Sequence, residues 1–205
     1  MGLGNKSFVI ISMLFLLAGC ATQNNIEQTS NAVISAPFSA SSLAIKLSAQ
    51  PDLNTVNGLP NSCTVLVIQT QTLDQITQLI SNAANIQMLF SDEGAGGTEK
   101  DVLQVDRYTL MPGQSTTLHL DRVINSRYVG IVAGYYPFPT QQQMLTLAIP
   151  VHRYSTGWWT PEEHAELTPL SVSLRLGSSG FIDIQSNTDL VPENNKYIAK
   201  TDESH

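Results

Sequence analysis

After residue 42 the chain alternates polar and apolar positions with a period of two over much of its length, which marks half-buried strands. Leu43–Ala49 reads as the first strand and Thr64–Thr72 as the second. The period then lengthens. Ile76, Leu79, Ile80, Ala83 and Met88 share one helical face, so the spacing predicts a helix over Asp74–Phe90 with Thr72 or Asp74 as its N-cap. Alternation returns in Val102–Leu110 and again from Ser115 to Leu120. Between them stands Met111-Pro112-Gly113-Gln114, with Pro and Gly at the central positions of a type II turn, and the pattern predicts a hairpin. His119 falls opposite Leu118 and Leu120 and is expected to face solvent. Arg127–Tyr136 is an unbroken β-forming run with two glycines. That predicts a central strand covered on both faces, its glycines allowing another element to come close. Met144–Val151 is a further strand, and Ser171–Leu176 with Gly180–Gln185 makes a last hairpin. About eight strands, one helix and no βαβ alternation predict an all-β sandwich with an inserted α-helix.

Three stretches break this rhythm. Residues 48–63 read SAQPDLNTVNGLPNSC, far more than the roughly two to five residues that two successive strands need to turn around. Asp52 and Asn54 are turn formers through their own side chains, and Leu53, Val56 and Leu59 are the small apolar groups on offer. Ser91–Lys100 is glycine-rich and reads as a surface turn, since no phosphate-loop motif follows it. His152–Pro169 is an irregular link that carries Trp158-Trp159. Its Thr160-Pro161-Glu162 looks like the start of a short helix, with Thr as cap and Pro at the first position. Packing on the sandwich is the simpler reading of the tryptophan pair; covering a partner or a sugar is the other.

The N-terminus is a targeting segment. Phe8–Leu17 is apolar but too short for the about 20 residues of a membrane-spanning helix, and it follows Lys6 as the core of a signal peptide follows its charge. It ends Leu17-Ala18-Gly19-Cys20, which resembles the lipobox of bacterial lipoproteins; an ordinary signal peptide with an incidental cysteine is the alternative. The resulting organisation is a signal peptide at 1–19, a lipidated Cys20 and flexible linker over 20–42, a sandwich domain at 43–186 and a polar tail at 187–205. A linker of this length, as a coil, reaches roughly 25 Å.

Charge and chemistry narrow the function further. The chain has 10 basic and 17 acidic residues; removing 1–19 takes away Lys6 alone, which leaves 9 against 17 and a net charge of −8. Such a balance argues against nucleic acid and against anionic lipid surfaces as partners. With Cys20 acylated, Cys63 has no intrachain partner and is expected to be buried in its strand. The four histidines fall in no zinc motif, and neither a nucleophile elbow nor a Ser/His/Asp signature is present. Glu162-Glu163-His164 is better read as a first turn than as an acid/base site. The expectation is therefore a protein that is not an enzyme, has no catalytic residue and no metal, and carries no cofactor beyond the covalent diacylglycerol and acyl lipid on Cys20.

Several motifs then fall in one order: the lipobox, Ser48 with Asp52-Leu53-Asn54, Gly58 and Pro60, a second strand, a helical insertion, Leu110-Met111-Pro112-Gly113-Gln114, and Arg127-Tyr128-Val129-Gly130-Ile131-Val132-Ala133-Gly134-Tyr135. This resembles the TssJ (SciN) outer-membrane lipoproteins of the bacterial type VI secretion system, over about residues 43–151. The resemblance implies a transthyretin-like β-sandwich held at the outer membrane and facing the periplasm. It also implies a partner, the periplasmic domain of TssM, within the TssJ-TssL-TssM membrane complex. The loop between the first two strands would make the contact, here Asp52, Leu53, Asn54, Thr55, Val56, Asn57, Gly58, Leu59 and Pro60. Asp-Leu-Asn would shape the loop and the tip would touch the partner. A pilotin or assembly factor of another secretion or pilus system, and a ligand-binding lipoprotein using Trp158-Trp159, are the alternatives. The long 152–169 link and the C-terminal tail depart from the expected pattern.

Overall fold

Strands with one apolar face must bury it, and here two sheets bury theirs against each other. The structure is a computed structural model and describes residues 34–91 and 102–191. In chain order it contains β1 (Ser39–Ala49), β2 (Cys63–Thr70), α1 (Leu73–Ser81), α2 (Ala83–Phe90), β3 (Gln104–Leu110), β4 (Ser115–Arg122) and β5 (Tyr128–Gly134). There follow β6 (Met144–Ala148), β7 (Val151–Thr156), β8 (Glu162–Leu167), β9 (Leu170–Leu176) and β10 (Phe181–Ser186). One four-stranded sheet has the order β10-β9-β1-β4 and the other β3-β2-β5-β6, while β7 and β8 pair only with each other. Leu43, Ile45 and Leu47 of β1 and Val172 and Leu174 of β9 pack with Val65 and Val67 of β2 and Val129 and Ile131 of β5 in one fully enclosed core. Each such side chain contributes about 1.5–3 kcal/mol through burial.

The second sheet is buried on both faces. Leu66, Ile68, Val132 and Met144 turn away from the sandwich interior and are covered by Ile76, Leu79 and Ile80 of α1 and Ile86 and Leu89 of α2. This is why β2 and β5 are continuously apolar where β1 and β4 alternate. Gly130 makes the close approach possible: a Cβ there would lie 2.4 Å from Ile76 Cδ1.

Local patterns placed the elements well but assigned some wrong partners. The helix is two helices. Thr72 caps α1 in a reciprocal capping box with Gln75, and Asn82 interrupts the run by capping α2 through its side-chain oxygen, 2.9 Å from Ala84 N. The type II turn at Met111–Gln114 is present, with Gly113 at φ +73° and a 3.0 Å bond from Gln114 N–H to Met111 O. It does not close a hairpin: β3 pairs with β2 and β4 with β1, so the turn carries the chain from one sheet to the other. A turn motif specifies the reversal, not the strand that each arm meets. The helix start at Thr160-Pro161-Glu162 is also overturned. Glu162 opens β8, which pairs with β7 in register from Val151↔Leu167 to Thr156↔Glu162, giving ten strands rather than eight. His119 faces solvent and Cys63 is buried, as expected.

Both domain limits shift outward. β1 begins at Ser39, and the segment before it is held by Asn125 N–H to Ala36 O, by Arg122 to Pro37 O and by Arg127 to Ile34 O. The linker expected up to residue 42 is thus part of the domain from residue 34. At the other limit, Asn187 Nδ2 donates to Pro169 O, and Leu190 bridges Leu147. The signal peptide, Cys20, most of the glycine-rich turn and the tail beyond residue 191 lie outside the described residues.

The register gives the sandwich two distinct ends. β1 runs parallel to β9 from Leu43↔Leu170 to Ala49↔Leu176. The segment from residue 34 arrives where both begin, and β6 leaves into β7 at that same end. The β1–β2 loop, the Met111–Gln114 turn and the Gly177–Gly180 turn cluster at the opposite end.

Candidate functional site

The long connection between β1 and β2 has a locked root and an exposed tip. At the root Leu53 is fully buried and belongs to the main core. Asn54 sits beside it at φ +45°, the left-handed region that Asn tolerates better than most residues. Its Nδ2 donates to Ser62 O at 2.8 Å and its Oδ1 accepts from Tyr136 N–H at 2.9 Å. Its own N–H donates to Gly177 O, and Thr55 N–H to Ser178 O. Thr55 Oγ1 donates to the carbonyl of Asp52, at 2.6 Å. Asn61 closes the root from the far side, its N–H reaching Leu53 O and its side chain Leu59 O. The detour is therefore a folded unit.

Its tip is a miniature hairpin. Val56 and Leu59 exchange both backbone hydrogen bonds, at 2.9 and 3.0 Å, around Asn57-Gly58. Both central residues have positive φ, +52° and +78°, as a type I′ turn requires, and Asn-Gly is the dipeptide best suited to it. Asn57, Gly58, Leu59 and Pro60 are exposed, and Leu59 shows 69% of its surface to solvent.

This divides the expected contact residues. Asp52, Thr55, Asn57, Gly58, Leu59 and Pro60 are exposed and Val56 is half-buried, so all of these can meet a partner. Leu53 and Asn54 cannot: one is consumed by the core and the other by the root's hydrogen bonds, which is the shaping role expected of the Asp-Leu-Asn motif. Asp52 serves that role through its carbonyl rather than through its carboxylate.

Three exposed apolar side chains at the same end escaped the sequence reading. Tyr136 is held next to the root by its bond to Asn54, and Met111 occupies the turn whose Gly113 N–H donates to Gln50 O. Ile182 stands on β10 against Gly177. With Leu59 they are exposed apolar side chains at the same end of the sandwich as the Asn57-Gly58 tip. Each lies in a strand or turn whose own pattern gives no reason to single it out; only the fold gathers them.

The chemistry beneath the loop is structural. Tyr135 is buried and donates through its hydroxyl to Gly177 O and Gly180 O, both at 3.0 Å, tying β5 to the turn that receives the loop root. Burial holds its phenol above the ordinary range. Burial also pushes the Cys63 thiol up to about 12, against a smaller opposing effect from a backbone hydrogen bond at Gly134. A thiol so placed is neutral at physiological pH and a poor nucleophile. Among the described residues no three His, Cys, Asp or Glu side chains come together in a way that would hold a metal ion.

Residues 41–176 match the model of the type VI secretion lipoprotein family, which includes VasD, EvfM and TssJ. The chain belongs to this family. The match takes in β1 through β9 and so includes the loop. Among solved structures the lipoprotein TssJ1 of Pseudomonas aeruginosa has the same fold, with a TM-score of 0.50 and 16% identity over 75% of this chain and 98% of that one. Lip of Serratia marcescens, a membrane-bound component of the type VI secretion system, gives 0.47 and 18% over 74% and 97%. A chain in the structure of the TssM C-terminal domain from EAEC gives 0.47 and 15% over 73% and 97%. No curated protein sequence matches the chain. Membership makes this a lipoprotein of the bacterial envelope and places it with a secretion machine, not with a pilotin or a pilus factor.

Proposed function

We propose that this lipoprotein fixes the type VI secretion membrane complex to the outer membrane from the periplasmic side. Acyl chains on Cys20 hold it there, and the tip of the β1–β2 loop binds the periplasmic domain of TssM. The observation that carries the reading is the contrast within the loop: a root fixed by Leu53, Asn54 and Asn61 presents a Val56–Leu59 hairpin whose Asn57, Gly58 and Leu59 are exposed. A tip ordered before binding loses little conformational entropy on binding, which is what a permanent structural contact needs. The lipid end supports the same arrangement. One acyl chain is a marginal anchor, and the two or three of a lipoprotein cysteine hold permanently.

The test is a titration of the mature chain with the periplasmic domain of the TssM encoded in the same genome. Leu59→Asp is expected to weaken binding by roughly tenfold or more, as loss of an apolar anchor at an interface centre does, with the unfolding midpoint unchanged. Equal affinity for the variant and the parent would remove the loop tip from the interface. For the anchor, Cys20→Ser is expected to release the chain from the membrane fraction, and retention would refute lipidation at that cysteine.

A further inference from the structure

The β7–β8 hairpin bears no relation to the loop just described, and it ends in the two most exposed large apolar side chains of the described residues. Trp158 and Trp159 each show 88% of their surface to solvent. Their rings stack at 5.9 Å between centroids and 8° between planes. They are the chain's only tryptophans. Neither packs on the sandwich, which overturns the simpler expectation for the pair. The hairpin that holds them out is stiffened from within. His152, Tyr154 and His164 stack in succession at 5.6 and 5.3 Å, Thr156 Oγ1 lies 2.8 Å from His164 Nε2, and Glu166 stands 3.8 Å from His152 Nδ1. Gly157 begins the tip at φ +98°, and a Cβ there would lie 2.6 Å from Thr160 O, so the reversal is built around a glycine.

The position of this hairpin says what it meets. It leaves the sandwich at the end where the tether arrives, opposite the β1–β2 loop. Ser35 bridges Glu166 of β8 in the parallel sense, so the chain at Ser35 runs with β8, from the tip side of the hairpin towards its base. Thirteen residues, 21 to 33, separate that segment from Cys20. At about 3.5 Å per residue they span at most roughly 50 Å, and as a coil roughly 20 Å. The distance from Glu166 to the tip is also about 20 Å at the rise of a strand. A bilayer that holds Cys20 is therefore within reach of the tryptophans. Trp suits the headgroup layer, where an apolar ring with one polar N–H finds both environments. Glu162 and Glu163 flank the tip, so the layer it suits is zwitterionic rather than anionic.

We infer that the Trp158-Trp159 tip is a second, non-covalent membrane contact, seated in the zwitterionic headgroup layer of the bilayer that carries the Cys20 lipids. It would hold the tether end of the domain against the membrane and turn the β1–β2 loop away from it. The inference rests on the lipid anchor proposed above.

Tryptophan emission reads the tip without interference from other residues. The lipidated chain is reconstituted in vesicles of phosphatidylcholine and phosphatidylethanolamine, with and without brominated acyl chains. A blue shift on reconstitution and a loss of about half the emission to the brominated lipid are expected for interfacial tryptophan. Emission that stays at the solvent-exposed maximum, with no loss to the brominated lipid, would overturn the inference. So would a blue shift produced by soluble peptidoglycan fragments and not by vesicles, which would make the tip a sugar site. Vesicle flotation of the Trp158→Ser/Trp159→Ser chain separates the two claims. Flotation of the variant with the parent failing the emission test leaves the anchor standing and removes only the tip contact. A parent chain that does not float removes the anchor itself.

Discussion

Asn54→Ala isolates the root of the loop, and its cost can be worked from the structure. The side chain makes two hydrogen bonds, 2.8 Å to Ser62 O and 2.9 Å from Tyr136 N–H, each partly shielded from water. Removing it leaves a carbonyl and an N–H without their partner, at about 1 kcal/mol each for groups that water can still partly reach. The backbone at φ +45° adds a second cost, since a Cβ without the local hydrogen bonding of Asn is disfavoured there by about 1 kcal/mol. The sum is about 3 kcal/mol. In urea, where a small protein loses about 1–3 kcal/mol of stability per molar, the unfolding midpoint should fall by roughly 1–3 M. Asn54→Gly separates the two contributions. It loses the same hydrogen bonds but adopts the positive φ freely, so it should recover about 1 kcal/mol relative to alanine. An alanine variant within about 0.5 kcal/mol of the parent would show that the root is not held by these bonds. A glycine variant as unstable as alanine would refute the backbone part of the reasoning.

Other expectations follow from packing, capping and titration. Gly130→Ala should destabilise by about 1–3 kcal/mol, because its Cβ would lie 2.4 Å from Ile76 Cδ1. Pairing it with Ile76→Ala should give a double variant better than the sum of the two singles, and simple additivity in urea melts would count against a direct clash. Thr72→Ala removes the cap of α1 and should cost about 1 kcal/mol by the same melts, with no effect on partner affinity. Cys63 is raised from 9.0 to about 12 in the folded chain, so the unfolded chain releases its proton first. Its contribution to stability is complete below pH 9 and is lost as pH rises towards 12. Tyr135 acts in the same direction. Cys63→Ala should flatten the fall of unfolding free energy, read from urea melts, in this window by up to about 1.4 kcal/mol per pH unit, and an unchanged slope would refute the assignment.

Much of the candidate site could be read from the residues, and its limits have physical causes. The length of the 48–63 stretch and its Pro, Gly and Asn content mark a specialised loop, because no simple turn needs them. That Leu53 is core and Leu59 is surface does not follow from sequence, since both are leucines beside turn formers and only the packing of two sheets distinguishes them. Tyr136, Met111 and Ile182 are drawn from three distant segments, so nothing local links them. The Thr160-Pro161-Glu162 motif failed for a related reason: a cap signal carries about 1 kcal/mol, and six paired residues of β7 and β8 outweigh it.

Properties with a short range were set by the sequence itself. Period-two and period-three-to-four patterns placed eight of the ten described strands and the helical insertion, Pro-Gly made its turn, and the apolar leader ending at Cys20 pointed to the lipoprotein class that the family match shows. The continuous Arg127–Tyr136 run announced a strand covered on both faces. The tertiary structure alone decided which strands pair, because alternation says that a strand has an apolar face and not which neighbour meets it. That choice sends β3 and β4 into different sheets and runs β1 parallel to β9. As a result, the segment that begins at residue 34 and the tryptophan hairpin stand at one end of the sandwich and the β1–β2 loop at the other. Pairing is settled by burial summed over both sheets at once, and no single stretch of sequence contains that sum.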